Sequence, residues 1–142
     1  MTFDEIQAMW ERDAKIDPVE LDNASLSIPQ LHSKYFKIFS EYRFKKKQAV
    51  GNLKQLTRRK FEYYSGKGDP EDYRKNPFDL KLLKSDLTMY IESDPDIKDL
   101  QLKIDIYDII IEYLESVIRM INTRSYQIKN AIEWKSFIEG IR

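Results

Sequence analysis

The sequence predicts an all-α fold of several short helices plus two long ones, the C-terminal long helix carrying coiled-coil-like heptads. Three observations carry this. The 142 residues include only four glycines and five prolines beside 34% charged residues, a composition of helices rather than of loop-rich β structure. Apolar residues recur by threes and fours along much of the chain, the period of a helix face. Helix-start signals stand at Thr2, at Asp17-Pro18 and at Ser93-Asp94-Pro95. With 42% hydrophobic and 13% aromatic residues a modest core is affordable, and one helical domain over 1–142 is expected.

Thr2 followed by Glu5 is a capping-box pattern, and Phe3, Ile6, Met9 and Trp10 follow at helical spacing, which predicts a helix over 2–14. Asp17-Pro18 reads as an N-cap with proline at the first helical position, starting a second short helix to Ser27. Pro29 should break or kink it. These acidic helices make up the segment 1–29. A long basic helix with its turn fills 30–69: Leu31, Tyr35, Ile38, Tyr42, Ala49, Leu53 and Leu56 line one face, and Lys45 and Gly51 are the places where it would bend.

The segment 70–94 is expected to be a loop and a short helix. Ser65 to Pro77 holds two glycines and two prolines, a loop composition. A helix over 78–91 would turn Leu80, Leu83, Leu87 and Tyr90 or Ile91 inward. Pro95 then opens the C-terminal helix of 95–142. Ile97, Leu100, Ile104, Tyr107, Ile111, Leu114, Ile118, Ile121, Ser125, Ile128 and Ile132 alternate by three and four, a heptad seam. Leu102, Ile106, Ile109, Ile110, Tyr113, Val117 and Met120 add a second stripe. Two stripes call for burial from more than one side, and in so short a chain the extra face most simply meets another copy. Ile104, Tyr107, Ile111, Leu114, Ile118, Ile121, Ile128 and Ile132 are therefore the expected oligomerisation residues, the alternative being a monomeric bundle around this helix. Trp134, Phe137, Ile138 and Ile141 keep the tail apolar at helical spacing.

Several kinds of chemistry have no candidates. The chain has no cysteine, so neither a disulfide framework nor a thiolate is available, and His32 is its only histidine. Glu92, Asp94, Asp96 and Asp99 lack the central glycine and twelfth-position glutamate of a calcium loop, and their place at a helix start accounts for them. Ser65-Gly66-Lys67-Gly68 lacks the spacing of a phosphate-binding P-loop. No catalytic residue, metal or cofactor is expected. No apolar run is long enough for a membrane span and the N-terminus has no signal-peptide pattern, so a soluble intracellular protein is expected.

Binding is the remaining possibility, and the charges are sorted for it. Formal net charge is zero, but residues 1–30 carry seven acids against two bases, a net of −5. Residues 43–67 carry nine bases against Glu62 alone, a net of +8. Binding responds to such local fields rather than to the total. The basic run leads into the pair Tyr63-Tyr64, and single-stranded nucleic acid asks for cations at its phosphates and flat rings at its bases. Lys45, Lys46, Lys47, Lys54, Arg58, Arg59, Lys60 and Lys67 are the candidate phosphate ligands, with Tyr63 and Tyr64 as candidate stacking rings. Adjacent helical residues point about 100° apart, so one tyrosine is expected to be structural and the other accessible. A scaffold protein whose basic stretch docks an acidic protein partner is the competing reading.

At Arg58–Asp69 the residues RRKFEYYSGKGD resemble the signature stretch of the UvsY-type recombination mediators of T4-like phages, a pattern close to KARLDYYSGRGD. Tyr63, Tyr64, Ser65, Gly66, Gly68 and Asp69 match it identically. Glu62, Lys67, Arg58 and Lys60 keep charge, while Arg59 and Phe61 depart from it. The resemblance extends to the layout of the whole chain, with low identity elsewhere. It implies a ring-shaped homo-oligomer, a hexamer or heptamer, working in the cytoplasm of an infected bacterial host. It also implies binding of single-stranded DNA and help to a UvsX-like phage recombinase in displacing the phage single-strand-binding protein. Arg58 and Lys60 are the DNA-binding positions it carries over, and the C-terminal helix the one it assigns to oligomerisation.

Overall fold

The computed structural model describes residues 1–140; Ile141 of the apolar tail lies outside them. Among the described residues six helices follow one another: α1 (Phe3–Asp13), α2 (Leu21–Leu26), α3 (Ile28–Tyr64), α4 (Pro70–Lys75), α5 (Lys84–Glu92) and α6 (Pro95–Glu139). They form two compact units. One comprises Met1–Tyr42 with the chain from Ile109 onward, the other Arg43–Asp108, and α3 and α6 each run through both.

In the first unit the Thr2 capping box forms as the sequence predicts. Its hydroxyl accepts from the Glu5 amide at 3.2 Å, and Glu5 accepts from the Thr2 amide at 3.1 Å. Asp17 does not cap a helix as expected. Its carboxylate accepts from the Val19 amide at 2.9 Å in a turn, and α2 starts only at Leu21. The break before Pro29 falls at Ser27, leaving the proline in the first turn of α3, where its missing N–H costs nothing. Ile6, Trp10, Tyr35, Leu114, Val117 and Ile121 are buried in this unit, with Trp10 edge-on to Tyr35 at 5.3 Å.

The heptad seam of α6 is shifted in phase past Tyr107. The buried positions are Ile97, Ile104, Ile110, Leu114, Val117, Ile121, Arg124 and Ile128. Ile111 and Ile118 are thus only half-buried, and Ile132 is exposed. Ser125 yields its place to Arg124, whose guanidinium donates to the carbonyls of Ala14 and Lys15 at 3.2 Å each, closing the C-terminal end of α1. Burial lowers the Arg124 pKa against the field of Asp13.

The second unit holds a cluster of Leu87, Ile91 and Ile97, with Leu53, Leu56, Tyr64 and Leu82 packed against it. α3 runs through Lys45 and Gly51 as one continuous helix. The expected 78–91 helix is shorter than predicted: α5 starts at Lys84, and Leu80 and Leu83 are exposed rather than inward. The predicted 65–77 loop contains α4, with Asp69 as N-cap, Pro70 behind it, and Arg74 and Lys75 in the last turn. Asp94 caps α6 as expected, accepting from the Asp96 amide at 2.9 Å.

Candidate nucleic-acid interface

The stretch Tyr63–Asp69 is first of all a turn. α3 ends in a Schellman motif: the Lys67 amide donates to the Glu62 carbonyl at 2.8 Å and the Gly66 amide to Tyr63 at 3.2 Å. That closure needs a left-handed residue, and Gly66 sits there at φ 83°. Gly68 is required for a different reason. A Cβ on it would lie 2.9 Å from the Tyr63 Cα and 3.1 Å from the Tyr73 hydroxyl. That hydroxyl accepts from the Gly68 amide at 3.0 Å and donates to the Tyr63 carbonyl at 2.8 Å, tying α4 to the end of α3.

Both candidate stacking tyrosines are drawn into this architecture. Tyr63 stacks on Tyr73 at 5.0 Å and meets Tyr64 and Phe78, while Tyr64 also contacts Phe78 and Tyr90. Tyr63 is buried and its hydroxyl donates to the Asn76 carbonyl. Tyr64 is half-buried and donates to Asp94 at 2.6 Å. Tyr63 is thus the buried, structural ring of the pair, while Tyr64 keeps part of its surface exposed within a cluster of five packed rings.

The cations divide sharply. Lys60, with its side chain 17% exposed, reaches Asp96 at 2.8 Å and Asp94 at 3.3 Å. Burial pulls its pKa down, yet the two carboxylates outweigh that and raise it. Asp94, 4% exposed, is pushed up by burial but held below the usual carboxylate range by hydrogen bonds from Tyr64, the Asp96 amide and Lys60. Arg59 forms a two-pronged pair with Asp72, and Lys46 pairs with Asp108 at 2.6 Å. Arg59, Lys60 and Lys75 line an open cleft of about 490 Å³ together with Asp72, Asp94 and Asp96, so its charge is mixed.

Lys45, Lys47, Lys54, Arg58 and Lys67 are exposed. Among the described residues Lys47, Lys54 and Lys67 form no ion pair, and Arg58, 83% exposed, meets only Glu62 at 3.3 Å. At 3.6 residues per turn, Lys47, Lys54 and Arg58 fall within about 40° of arc. They form a row along α3, a helix whose only acids are Glu41 and Glu62. Lys45 points away from it. Two large rings border the row: Phe44, 63% exposed, and Phe61, 52% exposed. The sequence reading passed over both, although three- and seven-residue offsets from Lys47 and Lys54 are visible in it.

Of the eight expected oligomerisation residues, Ile104, Leu114, Ile121 and Ile128 are buried within the chain. The apolar surface left exposed on α6 is Leu102 and Ile106 in the second unit, and Ile109, Met120, Tyr126, Ile132, Trp134, Phe137 and Ile138 in the first. Trp134 and Phe137 stack at 5.8 Å. No helix among the described residues is long and apolar enough to cross a membrane, and no group of His, Cys, Asp or Glu there is placed to hold a metal ion.

Comparison with known proteins gives a consistent answer. The recombination protein UvsY of Enterobacteria phage T4 is 20% identical over 140 residues, spanning 99% of each chain. Crystal structures of the bacteriophage T4 recombination mediator protein UvsY share the fold. One superposes with a TM-score of 0.83 at 20% identity, covering 94% of this chain and 98% of that one. Another gives 0.82 at 19% identity, covering 98% of each. The sequence profile of the family described as "Recombination, repair and ssDNA binding protein UvsY" matches residues 9–141. The chain belongs to the UvsY family.

Proposed function

We propose that this chain is a recombination mediator. It binds single-stranded DNA and promotes loading of a UvsX-like phage recombinase by helping to displace the phage single-strand-binding protein. The structural observation that carries the reading is the row of exposed cations on α3, Lys47, Lys54 and Arg58, facing away from the carboxylates that neutralise Lys46, Arg59 and Lys60. Lys67 at the turn extends the basic surface, and Lys45 adds a cation on another face of the helix. Each phosphate they neutralise releases condensed counterions, which makes binding independent of base sequence and steep in salt.

Assembly as a ring of six or seven copies complements this. The exposed apolar residues of α6, Ile132 of the seam among them, would be covered by neighbouring copies, with the half-buried Tyr107, Ile111 and Ile118 adding to the contact. Several basic rows on one ring then bind a strand with an avidity that no single row reaches. The cytoplasm of the infected host is where such partners meet.

The test is recombinase filament assembly on DNA already covered by single-strand-binding protein, with and without this chain. Shortening of the lag before filament growth is the expected result. Unchanged assembly by a chain that binds the bare strand would reject the mediator role and favour the scaffold reading.

A further inference from the structure

We infer that Phe44 and Phe61 stack on bases of the bound strand, at the two ends of the phosphate-contacting row. This rests on the reading that the row binds single-stranded DNA. The rings are exposed, and neither has an aromatic partner among the described residues. On the helix Phe61 lies about 20° beyond Lys54 on one side of the row and Phe44 about 40° beyond Arg58 on the other. Seventeen residues separate them, about 25 Å along the axis, which is the length of a few extended nucleotides. Lys47, Lys54 and Arg58 lie between. A strand following these cations brings its bases past a π face at each end.

Charge selects the occupant. A second copy of the chain docking here would have to cover the exposed cations with carboxylates, whereas a polyanion with flat apolar bases satisfies cations and rings together. Glu62 is the one acid beside the row, and its contact with Arg58 at 3.3 Å is solvent-exposed and readily exchanged for a phosphate. Tyr63 and Tyr64 are already engaged, so these phenylalanines supply the free stacking surfaces of this face.

The experiment compares a labelled oligo-dT strand with an abasic strand of equal phosphate number by fluorescence anisotropy, with light scattering on the same samples. Phe44→Leu and Phe61→Leu keep apolar bulk and remove the π face. The double variant is expected to lose roughly tenfold or more of its affinity for dT, since each stacked base contributes about 1–3 kcal/mol, while abasic affinity and salt slope stay unchanged. In a Phe61→Trp variant, dT should quench the added indole emission and the abasic strand should not. Unchanged dT affinity and unquenched emission would overturn the proposal. Equal losses on both strands, or a changed oligomer, would overturn it too, because the rings would then act through fold or assembly. If the wild-type chain binds neither strand at low salt, the DNA-binding reading fails and takes this one with it.

Discussion

Gly68 shows how a single residue fixes the turn on which the basic helix ends. Its missing Cβ lets the chain pass against the Tyr63 backbone and receive the Tyr73 hydroxyl. Gly68→Ala forces backbone to move and should lower stability by about 1–3 kcal/mol in urea unfolding. Gly66→Ala, with open space around it but a left-handed backbone, should cost only about 1 kcal/mol. Asp94 makes the second prediction. Its folded pKa lies below the ordinary 3.8, so its contribution is full above that value and is lost as pH falls through the depressed one. Lys60, raised above 10.5, acts at the other end: its contribution is full below that and is lost as pH rises further. Asp94→Asn strands Lys60 with Asp96 alone and should lower neutral-pH stability by about 1–3 kcal/mol while flattening the loss below about pH 4. A thermal-melt series showing the wild-type acid limb in that variant would refute the pairing. The tyrosine pair was visible in the sequence as two rings, but its packing was not. Tyr73, Phe78 and Tyr90 reach it only through the turn that follows.

At the scale of the element, α1 and α6 were legible from their starts, where cap and periodicity agree, and α3 from its periodicity alone. Thr2 and Asp94 each satisfy amides at a helix start. α4 was hidden because the same Gly and Pro residues that suggest a loop also cap a helix at Asp69-Pro70. The phase of α6 was ambiguous for a physical reason: with two apolar stripes, Ile110 and Ile111, or Val117 and Ile118, fit a heptad equally well. Burial chose the set that admits Arg124, a residue that apolar patterning ignores. Gly51 gives the element its test. It is exposed within α3, with nothing within 4 Å of where a Cβ would sit. Gly51→Ala should therefore stabilise the chain by up to about 1 kcal/mol in denaturant unfolding without weakening DNA binding.

For the whole molecule, zero net charge conceals a division of labour: an acidic N-terminal region, a basic helix, and a C-terminal helix with apolar surface left over. Of the expected oligomerisation seam, Ile104, Leu114, Ile121 and Ile128 are spent inside the chain, which leaves other apolar positions of α6 to face outward. Ile109→Lys with Met120→Lys leaves the buried positions intact and should reduce the assembly to smaller species by light scattering, with a loss of DNA avidity even though two added positive charges alone would strengthen binding to a polyanion. The central claim, that the α3 row carries the strand, is tested most directly by oligo-dT affinity across a salt series for wild type and for Lys47→Ala, Lys54→Ala, Arg58→Ala combined. With about 0.7 of slope per phosphate contact, the triple variant should lose roughly two units of the log–log salt slope per row while its oligomeric state is unchanged. An unchanged slope from an intact oligomer would contradict the account and place the strand elsewhere.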